Sequence, residues 1–338
     1  MPDAACDFSL IVVSWNTHDL LRQCLQSIVD QAGVEIISTG AEIAASAADR
    51  LSVEIIVVDN ASHDGSAALV QAEFPQVRLI ANAHNAGFAA ANNQAVAVAR
   101  GDLLFLLNPD AYLLPGALQR LYDFMQAHPE AAAAGPNVLN PDGTWQAASF
   151  RFATLWDLLS EALFLSVLWP RSPLVARREL GGFKRDAVRE VDWVQGCALV
   201  IRRAVWNAVG PFDEGYWMYV EELDWSRRAD LLGYRIFFTP DAAVVHYGKR
   251  AVARARAHVL PLGYRSHFRY YRKFDGPAYT LAVRAIAVLQ MSLRAALSVA
   301  LSLVSRGAAR QRWRENRRAY LAVVREACRE VDRYAGGG

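Results

Sequence analysis

"LLFLLNPDAYLLPGA", residues 103 to 117, reads as a buried apolar strand that breaks at Asn108-Pro109-Asp110 and resumes with Leu113 and Pro115. Asn-Pro-Asp is good turn chemistry, so a turn follows the strand. A turn alone does not explain a carboxylate at the tip of so hydrophobic a segment, because an unpaired carboxylate is costly to bury. Asp110 is therefore expected to emerge where a cation or hydrogen-bond donors meet it.

The same layout recurs upstream. "FSLIVV" (8–13) ends at Ser14 and Asn16, "VEIIVV" (53–58) ends at Asp59 and Asn60, and "VRLI" (77–80) is followed by Asn82 and Asn85. Between them Leu20, Leu21, Cys24, Leu25 and Ile28 share one helical face, Asp64-Gly65-Ser66 opens a helix that runs through Phe74, and residues 92–99 read as helical. Residues 32–52, rich in Ala and Ser, read as an extended connection or insertion. Strands alternating with helices at this spacing predict βαβ units, an α/β fold with a mostly parallel central sheet flanked by helices. Ligands of such sheets sit beyond the carboxyl ends of the strands, and four strand ends with hydrogen-bonding side chains point to one shared polar ligand. Neither GxGxxG nor GxxxxGK[ST] occurs to hold phosphates. A divalent cation on a carboxylate is the usual substitute, and Asp110 is placed for it.

The 338 residues, 53% hydrophobic and 21% charged, describe a globular chain long enough for one large domain or two smaller ones. Cys6, Cys24, Cys197 and Cys328 form no CxxC pair, which favours neither a zinc knuckle nor a disulfide framework and fits a reducing cytosol. The short apolar run at 8–13 does not read as an export signal. A net charge of +2 hides an asymmetry. Residues 1–245 hold 17 Lys and Arg against 29 Asp and Glu (−12), whereas 246–338 hold 19 against 5 (+14). A basic tail on an acidic body suggests an anionic surface as partner. The cytoplasmic leaflet of a membrane is favoured over nucleic acid, since no nucleic-acid module accompanies the charge. Residues 278–304 are long enough to cross a bilayer, but Arg284, Gln290 and Arg294 interrupt them, which favours a helix at the membrane surface or packed on the protein. Arg306, Arg310, Arg312, Arg314, Arg317 and Arg318 follow, against the single acid Glu315. A second apolar segment, 155–169, carries Trp156 and Trp169 near its ends and is a further candidate for the interface; the bland alternative is a tail helix with a solvated basic face.

Seven segments now resemble a known family: "IVVSWNTHDLLRQCLQSI" (11–28), "VEIIVVDNASHDGS" (53–66), "NAGFAAANNQA" (85–95), "LLFLLNPDA" (103–111), "DWVQGCALVIRRAVWNAVGPFDE" (192–214), "MYVEELDWSRRADLLGYRI" (218–236) and "VVHYGKR" (244–250). Weak singly and specific jointly, they are similar to the inverting family 2 glycosyltransferases with a GT-A fold, in particular the rhamnosyltransferase-like bacterial branch. The resemblance spans about residues 8–275 and implies a nucleotide-diphospho-sugar transferase domain over 1–250, with a nucleotide-binding half (8–115) and an acceptor half (116–250). A C-terminal helical, basic, membrane-associating region over 251–338 completes the expected organisation.

Carried over by position, the resemblance implies that Asp59 reads the nucleotide base, with Ser14 and Asn16 lining the same pocket. Asn85, Gly87, Phe88 and Asn92 follow the ribose and diphosphate, Asn92 standing where many relatives have Arg. Asn108-Pro109-Asp110 takes the place of the Asp-x-Asp metal motif. Asn108 keeps an acceptor oxygen without the charge, so Asp110, with His246, holds Mg2+ or Mn2+. Glu222 is the expected base, Glu221 a ligand of acceptor hydroxyls, and Asp224 an orienting or capping residue, although acids also suit the first turn of any helix. Trp193 and Gly196 flank the sugar, though Trp193 equally suits a core. Lys249, with Arg250, neutralises the departing nucleoside diphosphate. The implied activity is metal-dependent inverting transfer, with rhamnose from dTDP-rhamnose as the branch analogy, to a lipid-linked or polysaccharide acceptor at the inner face of the cytoplasmic membrane. Two rivals stand beside it. A processive polysaccharide synthase would carry Gln-x-x-Arg-Trp, but Ala309 precedes Arg312-Trp313. A non-catalytic nucleotide-sugar-binding or scaffolding protein would have no need of Asp110, Glu222 and His246 together.

Overall fold

Strand β1 (Phe8–Ser14) is buried on both faces along its whole length. That is the signature of a strand central to a sheet with helices on either side. The computed structural model describes residues 6–38, 50–248 and 250–329, with backbone alone over 250–258; Lys249 lies outside the described residues. After β1 come α1 (His18–Val29), β2 (Val34–Ile36), β3 (Leu51–Asp59), α2 (Ser66–Glu73), β4 (Arg78–Ala81), α3 (Phe88–Val98), β5 (Leu103–Leu107), β6 (Ala111–Leu113), α4 (Ala117–Ala127) and β7 (Ala131–Leu139). Then follow β8 (Ser149–Phe150), α5 (Leu155–Ala162), α6 (Leu165–Leu168), β9 (Arg189–Val191), β10 (Trp193–Val194), β11 (Ala198–Arg202), α7 (Arg203–Val209), α8 (Glu221–Leu231) and β12 (Arg235–His246). Three long helices finish the chain: α9 (Arg250–Phe274), α10 (Gly276–Val304) and α11 (Gly307–Ala327).

The main sheet runs β2-β3-β1-β5-β11-β7-β12-β6, with β4 on β3 and β9 on β12. Its first half is parallel, as the βαβ spacing predicts. It turns antiparallel at β11, and only β7 and β12 pair in parallel beyond that point. The alternation of side chains along β1 and β3 sends Leu10, Val12, Ile55 and Val57 into the core formed with α1 and α4, and Ile11, Val13, Ile56 and Val58 to the opposite face, all of them buried. Two expectations change. Of residues 32–52, 39–49 lie outside the described residues; the described parts hold strand, with β2 added to the edge of β3 and β3 beginning at Leu51. The helix expected at 92–99 begins at Phe88.

By contact clustering the described residues form two compact units. One is the α/β unit, drawn from Met1–Phe150, Lys184–Trp217 and Glu221–Gly248; the other is helical, drawn from Arg151–Phe183, Met218–Val220 and Lys249–Gly338. In the helical unit α10 packs against α5, α9 and α11. Helix α10 is long and apolar enough to cross a membrane by length and composition. The polar residues that interrupt it are engaged inside the unit. Arg284 donates to the carbonyls of Ala327 and Arg329, Gln290 bonds Glu161 and Tyr264, and Arg294 lies 3.8 Å from Glu161.

Candidate active site

Parallel pairing in register brings the ends of β1 and β3 together, with Ser14 opposite Asp59. Ser14 is fully buried, its hydroxyl bonded to Thr17 at 2.9 Å and its carbonyl accepting from Asn60 N. Asn16 is exposed in the left-handed region (φ 53°), a conformation its short polar side chain tolerates. Its Oδ1 accepts from His63 N, which pins the loop after β1 to the loop after β3. Asp59 is 3% exposed: one carboxylate oxygen accepts from Ser62 N at 2.9 Å, and the other is buried with no hydrogen-bond partner. An orphaned buried acceptor is costly, and a ligand N–H relieves that cost.

Asn60, 2% exposed, ties the next loop down, donating to the Gly87 carbonyl at 3.2 Å while accepting from Asn82. Asn85 accepts from Gly87 N, and Gly87 caps α3 at φ 86°; a Cβ there would meet the Trp217 carbonyl at 2.7 Å, so only glycine fits. Phe88 N donates to that same carbonyl. Asn92 lies inside α3, 1% exposed, its amide bonded to the Phe88 carbonyl at 2.8 Å.

The second cluster forms because β12 pairs with β6, setting His246 opposite Ala111 and so beside Asp110. His246 is 6% exposed; its Nε2 lies 3.1 Å from Asp110 Oδ1 and 3.3 Å from Asn108 Nδ2, while Nδ1 bonds Gln146 Oε1 at 2.6 Å. Burial disfavours the imidazolium, but the Asp110 and Cys197 side chains more than offset this and hold the imidazole pKa up at about 10. Among the described residues no group of three or more His, Cys, Asp or Glu converges as a metal cage. Asp110 and His246 instead set one oxygen and one ring nitrogen side by side; a cation completed by phosphate oxygens and water would take the place of the Nε2 proton that now bridges them.

The third cluster sits at the start of α8. Glu222 is 7% exposed, with Oε1 accepting from Gly196 N at 3.2 Å and Oε2 buried without a hydrogen-bond partner. Burial pushes its carboxyl above the ordinary carboxylate value, and the backbone N–H groups of Glu222 and Gly196 oppose that only in part. A Cβ on Gly196 would lie 3.4 Å from the Phe88 ring and 3.7 Å from Glu222 Oε1, so these three positions adjoin. Glu221 is 3% exposed beside it. Asp224 differs: it is fully buried, accepting from Tyr216 Oη at 3.0 Å and Arg228 Nε at 2.8 Å, which makes it a tether of the helix with no face toward a ligand. Just before the helix, Tyr219 (φ 64°) and Val220 (φ 78°) both lie in the left-handed region, where a β-branched residue is strained. Trp193 is half-buried and stacked on Phe150, ring centroids 4.6 Å apart.

Adjacent residues join the clusters. Cys197 is one of the groups that raise the His246 pKa and its carbonyl accepts from Asn108 N, while the preceding Gly196 donates its N–H to Glu222 and stands beside the Phe88 ring. Asp59, Asn60, Gly87, Phe88, Gly196, Glu222, Cys197, His246 and Asp110 thus form one continuous series of neighbours. Asn60, Gln146, Cys197 and Trp217 are the members that reading the sequence leaves out of the candidate set. Asn60 alone carried a signal, as the second polar residue at the end of its strand.

A sheet that is parallel at one edge and antiparallel beyond, with polar groups gathered at its strand ends, is the GT-A glycosyltransferase architecture. The chain is similar in fold to the mannosyltransferase PcManGT from Pyrobaculum calidifontis, solved with GDP-Man and Mn2+ (TM-score 0.51, 18% identity, 96% of this chain and 88% of that one). Residues 9–192 match the profile of glycosyl transferase family 2, and the chain belongs to that family. The N-acetylglucosaminyl-diphospho-decaprenol L-rhamnosyltransferase of Mycobacterium tuberculosis is 28% identical over 283 residues, 80% of this chain and 88% of that one. Rhamnosyltransferase WbbL of Escherichia coli is 31% identical over 80 residues, 24% of this chain and 30% of that one.

Proposed function

We propose that this glycosyltransferase moves rhamnose from dTDP-rhamnose, with inversion, onto a lipid-linked N-acetylglucosamine acceptor in bacterial cell-surface glycan synthesis. The observation that carries the reading is the half-satisfied buried carboxylate of Glu222, held by Gly196 N, where the next residue, Cys197, bonds Asn108 of the Asn108–Asp110 turn that pairs with His246. The mycobacterial relative supports the choice of sugar and of a polyprenyl-diphosphate acceptor, because it aligns over most of both chains.

In this reading Asp59 accepts from the thymine N–H with its free oxygen, and the strand ends at Ser14 and Asn16 wall the base. Asn85, Gly87 and Phe88 follow the ribose. Asp110 and His246 hold Mg2+ or Mn2+ together with the diphosphate, which, when bound, neutralises the charge that develops on the leaving nucleoside diphosphate. Glu222 takes the proton of the attacking acceptor hydroxyl as the anomeric carbon is displaced from the opposite face. The burial that raises its pKa also makes it a stronger base. Glu221 orients acceptor hydroxyls, Trp193 packs on a pyranose face and Gly196 leaves room for the sugar; Lys249, outside the described residues, is assigned by its position in the sequence to neutralise the departing diphosphate. Residues 1–250 form the catalytic domain in this scheme. The basic C-terminal region brings it to the cytoplasmic face of the membrane, where a lipid-linked acceptor resides.

The test is a panel of nucleotide sugars with a synthetic polyprenyl-diphospho-N-acetylglucosamine, scored by nucleoside diphosphate release with and without Mn2+ or Mg2+. Saturable release with dTDP-rhamnose alone, dependent on the ion and on Glu222, is the expected result. Saturation by another donor overturns the sugar assignment, and turnover unchanged by chelation overturns the metal.

A further inference from the structure

The helical unit carries an open cavity of about 620 Å3 lined by Arg272 of α9, by Thr280, Leu281, Arg284 and Val288 of α10, and by Arg329 just beyond α11. Its centre is a buried cation without a counter-ion. Arg284 is 6% exposed; its Nη1 donates to the carbonyls of Ala327 (3.3 Å) and Arg329 (2.7 Å), and its guanidinium lies 4.9 Å from the Phe268 ring centroid. Its Nε is buried with no hydrogen-bond partner, and no carboxylate among the described residues pairs with it. A buried guanidinium left this way is costly, and an anion that enters offsets the cost. Glu326 on the neighbouring helix does not supply it, because Arg265 (2.8 Å) and Arg329 (2.8 Å) already share that carboxylate.

Apart from the three arginines and Thr280, the lining is mostly apolar, with Pro277, Leu281, Ala285, Val288 and Ala327. Leu281 is 70% exposed as well as lining the cavity, so the apolar wall continues onto the surface of α10, where Leu297, Leu303 and Val304 are also exposed. A small inorganic anion has no use for such a wall. A phosphate carried on an acyl chain matches both halves of the cavity.

We propose that this cavity binds the headgroup phosphate of an anionic membrane lipid, with Arg284, Arg272 and Arg329 on the phosphate and the acyl chain along Leu281 and Val288. The inference rests on the membrane contact proposed above and gives that contact a definite site. Cys328 offers a direct probe: it lines the cavity and is exposed, whereas Cys6, Cys24 and Cys197 are buried. The experiment measures maleimide alkylation of Cys328 in the full chain with short-chain dioctanoyl phosphatidylglycerol, dioctanoyl phosphatidylcholine or inorganic phosphate. Phosphatidylglycerol at roughly ten times its dissociation constant should slow alkylation about tenfold, phosphatidylcholine and phosphate should leave it unchanged, and Arg272→Glu should abolish the protection. Equal protection by inorganic phosphate overturns the lipid assignment in favour of a small-anion site, equal protection by phosphatidylcholine overturns the role of the arginines, and no protection overturns the site. Flotation with phosphatidylglycerol vesicles separates the two readings. A chain that floats while Cys328 stays fully reactive keeps its membrane contact and loses this site, and a chain that does neither loses both.

Discussion

The α/β unit and the helical unit both bury carboxylates, but they satisfy them differently. In the helical unit Asp157 caps α5 through Thr154 and takes three bonds from Arg177, and Glu326 is shared by Arg265 and Arg329. Every such group is saturated by a cation supplied from the chain itself. In the α/β unit Asp59 and Glu222 each have one oxygen on a backbone N–H and the other buried without a partner. Saturated carboxylates hold structure, and half-satisfied ones at strand ends are where a ligand completes the hydrogen bonding. Members of each unit cross over: Glu54, held by Ser9 and Arg100, and Asp224, beside the candidate base, are saturated acids of the α/β unit, and Arg284 is a cation of the helical unit without a paired carboxylate among the described residues.

The comparison breaks first at Glu222. Removing a general base costs about 10²–10⁴-fold in rate, so Glu222→Gln should lower nucleoside diphosphate release by that factor while circular dichroism stays unchanged. Asp110→Ala should abolish ion-dependent turnover with the fold intact. A Glu222→Gln enzyme with full activity would return Glu222 to the structural class.

Asp224 should behave in the opposite way. Breaking a buried ion pair by deleting one partner costs about 3–5 kcal/mol, so Asp224→Ala should lower the denaturant midpoint steeply, since Arg228 and Tyr216 are left unmatched. A variant that lost turnover at unchanged stability would show that Asp224 acts on the substrate after all.

A smaller effect is expected at Gln146, whose Oε1 orients the His246 ring. Groups that orient a metal-binding histidine typically matter 10–100-fold to metal affinity, so Gln146→Leu should raise the Mn2+ concentration for half-maximal turnover by about that factor. With no cluster of three or more His, Cys, Asp or Glu among the described residues at the site, calorimetry should find tight Mn2+ binding only when nucleoside diphosphate is present. Strong binding to the free protein would point to further ligands.

Those residues also mark what reading the chain reveals and what it conceals. Strands β1, β3 and β5 announce themselves because burial on both faces leaves continuous apolar runs. The rule that ligands gather at the carboxyl ends of such strands then finds Ser14, Asp59, Asn108 and Asp110. Strand β2 was hidden: it is three residues long and only partly buried. The early start of α3 was hidden by Gly87, whose left-handed cap looks like loop, and by an Ala-rich helix with no clear apolar stripe. Gln146 lies 100 positions from His246 and meets it only after the distant strands pair, so no local pattern announces the contact. The saturation of Asp224 is equally invisible, because in the chain it is one acid among three at a helix start, and only packing against Tyr216 and Arg228 separates it from Glu222.

The smallest predicted effect is also the one whose sign separates the two kinds of carboxylate most sharply. Burial raises the Glu222 pKa in the folded state above its ordinary value of 4.5. The folded protein therefore binds this proton more tightly than the unfolded chain does, and the side chain's contribution to stability is fully present below about pH 4.5 and is lost as pH rises toward the folded-state pKa. Glutamine mimics the protonated form and keeps the Gly196 hydrogen bond without a charge to desolvate. Glu222→Gln should therefore melt at a higher temperature than the parent at pH 7.5, with the difference closing as the pH falls to about 4.5. Asp157, whose pKa is lowered because Arg177 and Thr154 outweigh its burial, predicts the reverse: Asp157→Asn should be less stable at neutral pH, with its deficit closing in acid. Melting curves of both variants across that range test the pair together. A Glu222→Gln deficit that grows with pH would mean that the Glu222 charge is compensated inside the folded chain, and the carboxylate would lose its claim to be the base.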